Sequence, residues 1–171
     1  MCAICDGMTE DQLQGDLQRR IARYGYTTLS VDGPEEWTYT IGLTASFDHP
    51  EFVVTGLPAR PASMVIQALA DRVRNGERFS SADSERLVDE FPVRFGDVHP
   101  SQWQHGRFDG WKRYYAWLGR TPALREALQI VWSNDEWIYP PDERFGLECN
   151  NACQPLLDSP ATGNVNRRRR W

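Results

Sequence analysis

The fold of this chain is decided by the stretch Trp37-Thr-Tyr-Thr-Ile-Gly-Leu43 and by the residues that follow it, His49-Pro-Glu-Phe-Val-Val-Thr-Gly-Leu-Pro58. In the first part, apolar side chains alternate with threonine and glycine, which is the period of a strand with one buried face. The second part contains the continuous apolar run Phe52-Val-Val54, which is typical of a strand covered on both faces. These patterns predict two neighbouring strands at the centre of a sheet, joined by a polar connection over residues 44–48.

The alternation also predicts the environment of single residues in the first strand. Tyr39 and Ile41 should be buried together on one face, because side chains two apart point the same way. Gly42 should lie where a close neighbour excludes a side chain, or where the strand bulges.

Helical patterns precede and follow this pair of strands. A capping box formed by Thr9 and Gln12 opens the first helix, and Gly25 suits the left-handed residue that follows a helix end. A second helix is predicted over residues 58–76, with Pro61 in its first turn. Its buried stripe is predicted to consist of Ala62, Ile66, Leu69 and Val73.

Further strands follow the second helix. Residues 91–95 alternate as a strand, and residues 128–132 are predicted to turn back through Trp137 and Tyr139 as a hairpin. A third helix is predicted between them, over residues 108–119. Helices and strands thus alternate at first and strands pair locally at the end. This order favours a single α+β domain with a mixed or mostly antiparallel sheet and helices packed on it.

Composition narrows the class of protein and its partners. The length of 171 residues fits one globular domain, which we expect over residues 1–158 with its two ends brought together, and residues 159–171 should form a mobile, Arg-rich tail. The net charge is −5 even with the four arginines from Arg167 to Arg170 included, which argues against nucleic acid as a partner. No run approaches the ~20 apolar residues of a membrane helix, and no signal pattern opens the chain. We therefore expect a cytoplasmic domain with no membrane partner.

All four cysteines occur in two pairs, Cys2 with Cys5 and Cys149 with Cys153. Cysteines separated by two or three residues can bind one metal ion together, and two such pairs complete a tetrahedral zinc site. A permanent disulfide is disfavoured in a reducing cytoplasm, so we expect a structural zinc ion that joins the two ends of the domain. An iron–sulfur cluster with the same ligands, a redox pair and two unrelated pairs of free thiols remain open.

The central stretch also resembles a known family. Tyr39-Thr-Ile-Gly-Leu43, His49-Pro-Glu51 and Gly56-Leu-Pro58 are similar to the signature of the bacterial domain of unknown function 4262. The similarity continues in the segments Arg74-Asn-Gly-Glu-Arg-Phe79, Val98-His-Pro100, Gln129-Ile-Val-Trp132 and Gln154-Pro-Leu-Leu-Asp158. The resemblance implies a single bacterial, cytoplasmic domain, and an early Cys-x-x-Cys occurs in part of that family. Because the family has no established activity, the resemblance implies no role for these residues.

Two of the three histidines, His49 and His99, precede a proline, which favours extended backbone and orients the ring. If both came from adjacent strand ends, they could line one pocket with Glu51 or Asp97, and with Tyr39, and serve as a general base or a metal site. Otherwise each ring is fixed by backbone hydrogen bonds and takes no part in chemistry. Since the sequence gives no strand pairing that joins the two motifs, we expect separate, structural histidines.

Two functional interpretations follow from the sequence. The leading one is a zinc-stapled binding domain with no evident catalytic motif, whose partner is another protein or a small molecule. The competing one is an enzyme in which His49, His99 and Glu51 form a pocket for general acid–base chemistry or metal-assisted hydrolysis. A deep pocket on which both histidines converge would favour the enzyme. The sequence makes no prediction about oligomeric state.

Overall fold

The computed structural model describes residues 7–33, 35–86, 92–104, 106–120, 127–133, 138–140 and 154–161. In chain order, the helices and strands in these ranges are α1 (Glu10–Tyr24), β1 (Thr27–Val31), β2 (Trp37–Ile41), α2 (Leu43–Phe47), β3 (Glu51–Thr55), α3 (Ala59–Arg74), β4 (Ser84–Arg86), β5 (Pro92–Asp97), α4 (Ser101–Gln104), α5 (Asp109–Trp117) and β6 (Ala127–Trp132). α1, β2, β3 and α3 correspond to the patterns that the sequence predicts.

The described strands form one mixed sheet in the order β1-β2-β3-β6-β5-β4. Neighbouring strands are antiparallel except β3 and β6, which run parallel with Phe52 opposite Leu128. This arrangement confirms the predicted α+β class. The predicted hairpin is wrong where it can be compared, because β6 lies between β3 and β5 and leaves no place for a returning strand beside it. Ile138 and Tyr139 belong to no strand, and Trp137 lies outside the described residues.

Helices cover both faces of the sheet. On one face, α3 packs against β1, β2 and β3, and its predicted stripe of Ala62, Ile66, Leu69 and Val73 is buried as expected. On the other face, Leu17 of α1 and Trp111 of α5 join a second apolar cluster with Tyr39 and Ile41. The two central strands are therefore enclosed between helices.

All five residues of β2 are buried, so the prediction of a half-buried strand was wrong for its threonine face. The reason is that α3 covers this face, where the Thr38 hydroxyl forms a 2.9 Å hydrogen bond with the Ser30 hydroxyl. The predictions for the apolar face are confirmed, since Tyr39 and Ile41 are both 0% exposed. The prediction that a close neighbour excludes a side chain at Gly42 is also confirmed. Its φ is +116°, and a Cβ there would lie 2.7 Å from the Gly25 carbonyl oxygen.

Local signals predicted the ends of α1 but missed α2. The capping box between Thr9 and Gln12 is present, and Gly25 closes the helix with φ of 84°. The connection over residues 44–48 was predicted only as polar, and no helix was predicted there, but most of it belongs to the five-residue helix α2. A helix this short is not stable through its own sequence, and its first amides are held by a side chain of β3.

Some predictions lie outside the described residues. These are all four cysteines, His105 and the tail from residue 162 onward, so the domain boundary at residue 158 and the tail stay predictions. Of the helices within the described ranges, none combines the length and the apolar character needed to cross a bilayer.

Candidate functional site

Glu51 is the first residue of β3 and is completely buried. Its Oε2 accepts hydrogen bonds from the Thr40 hydroxyl at 2.6 Å and the Leu43 amide at 3.2 Å. Its Oε1 accepts from the amides of Gly42 at 3.0 Å and Thr44 at 3.3 Å, and from the Trp111 indole N–H at 3.4 Å. Five donors from three elements thus surround one carboxylate.

This network explains why α2 exists. The first amides of a helix have no partner within the helix, and negative charge is favourable at that end. Glu51 supplies both an acceptor and a charge from a different strand, while Trp111 ties α5 to the same carboxylate. Burial raises the pKa of Glu51, and the hydrogen bonds from Thr40 and the α2 amides oppose that rise. The acceptor positions of the carboxylate are occupied by the fold.

His49 is also buried, and both of its ring nitrogens have backbone partners. Nδ1 donates to the Pro50 carbonyl at 2.7 Å, and Nε2 accepts from the Phe79 amide at 3.1 Å, which corresponds to the neutral ring. Burial lowers the pKa of His49, helped by the nearby Arg78 charge and opposed by the Pro50 carbonyl. The ring packs against Phe52 and Phe79, on the side of the sheet that α3 covers.

The side chains that the enzyme interpretation requires therefore turn to different places. Glu51 reaches Trp111 of α5, whereas His49 contacts the α3 side. His99 follows β5, is half-buried, and its Nδ1 accepts from the Ser101 amide at 3.2 Å and lies 2.8 Å from the Ser101 hydroxyl. The partners described for the three side chains are all different.

Tyr39 shares a neighbouring element with Glu51, because both side chains lie against the first half of α5. Its hydroxyl faces the amides of Gly110 and Trp111 but forms no hydrogen bond of ordinary geometry within the described part of the chain. Burial raises the pKa of Tyr39, and the two amides oppose the rise. The close approach is visible at Gly110, where a Cβ would lie 2.6 Å from the Tyr39 oxygen.

Two glutamines in the segments of family resemblance join the C-terminal chain to the sheet. Gln129 of β6 donates to the Pro155 carbonyl at 2.8 Å and accepts from the Leu157 amide at 2.7 Å. Gln154 accepts from the Trp132 amide at 3.2 Å and donates to its carbonyl at 3.3 Å. These side-chain amides fix the segment after Gln154 to β6, which is already paired with strands on both sides.

A small pocket of about 350 Å³ opens between α1, α2 and α5. We call it the Tyr115 pocket, because the buried Tyr115 hydroxyl at its wall has no hydrogen-bond partner among the residues that the structure describes. Burial and the neighbouring Glu51 carboxylate raise the pKa of Tyr115. The other lining residues are Gln18, Ile21, Ala22, Gly25, Ala45, Ser46, Tyr114, Leu118 and Arg120. Sequence patterns gave no signal for this pocket, because it depends on how three helices pack.

A larger groove of about 700 Å³ lies between α1, β1 and α3. We call it the arginine groove, because four arginines line it with only one acidic residue among its described lining residues. Its lining consists of Arg19, Arg20, Arg23, Tyr24, Tyr26, Thr27, Thr28, Gln67, Asp71 and Arg74. The sequence shows the three arginines at the end of α1, but only the packing of α3 brings Arg74 beside them.

Two acidic residues pair with some of these arginines. Asp16 lies 3.2 Å from Arg19 and 2.7 Å from Arg20, and Asp71 lies 3.7 Å from Arg74 while accepting from the Tyr26 hydroxyl at 3.2 Å. Three of the four guanidinium groups thus pair with these two carboxylates. The groove keeps a local excess of positive charge in a chain whose net charge is −5.

No group of three or more His, Cys, Asp or Glu side chains in the described part of the chain is arranged to hold a metal ion. The cysteines on which the zinc prediction depends are not among those residues, so the prediction is not tested by this finding.

Comparison with known proteins gives a family. No curated protein and no solved structure matches the chain. The model of the family described as "Domain of unknown function (DUF4262)" matches residues 20–146, which include α2, β3 and only the last five residues of α1. The match covers well over half of the 171 residues, and the chain therefore belongs to the DUF4262 family.

Proposed function

We propose that this domain binds an anionic partner in the arginine groove and that a structural zinc ion joins its two ends. The observation that carries the proposal is the convergence of Arg19, Arg20 and Arg23 from α1 with Arg74 from α3. Arginine presents a planar fork of donors that matches carboxylate and phosphate groups. The ligand-binding surface is thus the groove, and the domain has no catalytic role.

A simpler explanation accounts for only part of this convergence. Basic side chains near a helix C-terminus interact favourably with the helix dipole, which suits the last turns of both α1 and α3. The dipole effect acts within one helix, however, and does not favour bringing arginines of two helices together. Like charges at close range repel each other, and their assembly is favourable when an anion lies between them.

The polar residues of the central stretch favour binding over the enzyme interpretation. Glu51 accepts five hydrogen bonds from the fold, and both ring nitrogens of His49 have backbone partners. A general base needs a free lone pair within reach of substrate. Catalysis by these side chains would require breaking contacts that hold α2 and the Phe79 segment.

Chain direction supports the zinc proposal. α1 is joined to β1 through Gly25 and Tyr26 and packs over the sheet, so its first residues point toward the Val31 end of β1. Strand pairing puts the end of β3 and the end of β6 at this same end of the sheet. The described residues between Cys5 and α1 therefore lead into the helix from the end of the sheet where β1, β3 and β6 end.

The residues after the second cysteine pair are anchored at the same end. Gln154, next to Cys153, is hydrogen-bonded to Trp132, the last residue of β6. Leu157 is buried in the cluster that contains Leu17 of α1, so both segments belong to one face. Four thiolates from such segments suit zinc in a reducing compartment such as the cytoplasm.

Inorganic pyrophosphate tests the groove, because it carries several negative charges and no other recognition group. We expect saturable binding by calorimetry that weakens as salt is added. The double variant R23A/R74A should bind at least about tenfold more weakly, from the loss of two exposed charge contacts. The control R60A/R113A removes the same charge outside the groove and should bind as the unchanged protein does. Equal binding by both double variants would refute the groove as the site.

Elemental analysis tests the zinc. Freshly purified protein should contain about one zinc ion per chain, and C149S should lose the metal and melt several degrees lower. Treating the unchanged protein with a chelator is the control, and it should give the melting temperature of C149S. Less than about a tenth of an equivalent of zinc in undamaged protein would end this part of the proposal.

A further inference from the structure

The floor of the arginine groove is an edge of the sheet. β1 is the outermost strand on its side among the described strands, and Thr27 and Thr28 line the groove. In an antiparallel pair, alternate residues of an edge strand direct their N–H and C=O groups away from the neighbouring strand. Proteins usually protect such an edge with lysine, proline or a bulge. The β1 sequence Thr-Thr-Leu-Ser-Val contains no charge and no proline, and it pairs with β2 in unbroken register.

Arginines stand on both sides of this edge. α1 packs on the face of the sheet that contains Tyr39, and α3 packs on the opposite face with Phe52. Arg19, Arg20 and Arg23 therefore approach β1 from one side, and Arg74 approaches from the other. An extended chain lying beside β1 would run between these two walls.

We propose that an extended acidic segment of a partner protein adds to the sheet as a new strand beside β1. This inference rests on the proposed function and names the class of partner. Side chains of a strand alternate between the two faces, so acidic residues at neighbouring positions reach the α1 arginines and Arg74 in turn. Backbone hydrogen bonds to β1 supply the affinity, and the arginines select for acidic side chains.

The position of the positive charge favours a strand over a compact anion. A small phosphate compound can contact these arginines but leaves unused the line of β1 backbone groups that runs between them, whereas an extended chain contacts both. The partner chain also covers the β1 edge, beside which the described residues place no other strand, whereas a small anion leaves this edge exposed.

The test uses the synthetic peptide VEEVEEV, which places glutamates on both faces when extended. We expect binding to the full-length protein and, in hydrogen exchange, protection of the outward β1 amides in Thr27–Val31. VQQVQQV retains the strand but loses the charge, and a VEEVEEV peptide N-methylated at alternate residues retains the charge but loses the strand hydrogen bonds. Each of these two control peptides should bind at least about tenfold more weakly than VEEVEEV. The protein variant R23A/R74A should lose as much affinity for VEEVEEV, while R60A/R113A should bind VEEVEEV normally.

The outcomes separate this inference from the proposed function. Equal binding of the N-methylated peptide, or binding without β1 protection, would overturn strand addition while leaving an anion site in the groove. Pyrophosphate binding that depends on Arg23 and Arg74, together with no peptide binding, would have the same meaning. If neither probe binds, the inference and the proposed function both fail.

Discussion

Removal of the Glu51 side chain is the perturbation that tests the interior of this domain most directly. In Glu51→Ala, the amides of Gly42, Leu43 and Thr44 and the Trp111 indole lose their shared acceptor. The Thr40 hydroxyl can rotate toward another acceptor, whereas the three amides are fixed in the backbone. The substitution should therefore loosen α2 and its contact with α5.

The magnitude follows from the donors that are left without partners. A buried donor that loses its acceptor costs about 1–3 kcal/mol, and four such donors would give a larger sum if none relaxed. Loss of the buried charge offsets part of this cost, because burying a carboxylate is itself unfavourable by several kcal/mol. We expect Glu51→Ala to lower the free energy of unfolding by about 3–5 kcal/mol. Glu51→Gln keeps one acceptor oxygen and should lower it by about 1–3 kcal/mol.

Urea unfolding at neutral pH measures this change as a shift in midpoint at constant slope. Glu36→Ala is the matched control, because Glu36 is an exposed glutamate that precedes β2, and it should change stability by less than about 0.5 kcal/mol. A loss below about 1 kcal/mol for Glu51→Ala would refute the view that this carboxylate organises α2.

Three further predictions concern the same part of the fold. Ile41→Ala should cost about 2–5 kcal/mol in urea melts, because the side chain is fully buried, and a loss under about 1 kcal/mol would mean that β2 is not the core strand. Gly42→Ala should also destabilise the protein, since its φ is +116° and the Gly25 oxygen leaves no room for a Cβ; an unchanged melting temperature would contradict this. Protonation of His49 should lower the free energy of unfolding as the pH falls. Its folded pKa is lowered, so its contribution is complete above the unfolded value of about 6.5 and is lost as the pH falls toward the folded value. Urea midpoints between pH 7 and 5 should show this slope in the unchanged protein and less of it in His49→Gln, and equal slopes would contradict it.

The parts of the fold that could be predicted are those specified locally. The caps of α1 depend on Thr9 and on Gly25 within one helix. The stripe of α3 depends on spacing within a single helix. α2 could not be predicted in this way, because its first turn is held by Glu51 from the following strand. The parallel pairing of β3 with β6 likewise joins segments far apart in sequence, which no local pattern encodes.

The candidate site likewise combines features that local sequence specifies with features that depend on distant contacts. His49 and Glu51 are two residues apart, and a continuous strand would direct both side chains to one face. They diverge because β3 begins only at Glu51, so His49 precedes the strand and its ring turns to Phe79. The three arginines of α1 are plain in the sequence, but their meeting with Arg74 depends on how two helices flank β1.

The interior network and the arginine groove share none of the residues that define them, which separates stability from binding. If the groove is the binding surface, R23A/R74A should weaken pyrophosphate binding with little change in the urea midpoint. Glu51→Gln should lower the urea midpoint with little change in pyrophosphate binding, because Glu51 contacts α2 and α5 and does not line the groove. Binding in the Tyr115 pocket would instead be sensitive to this substitution, since the wall of that pocket lies beside the Glu51 carboxylate. A Glu51→Gln protein that stays folded but no longer binds the anion would therefore move the binding site from the groove to that pocket.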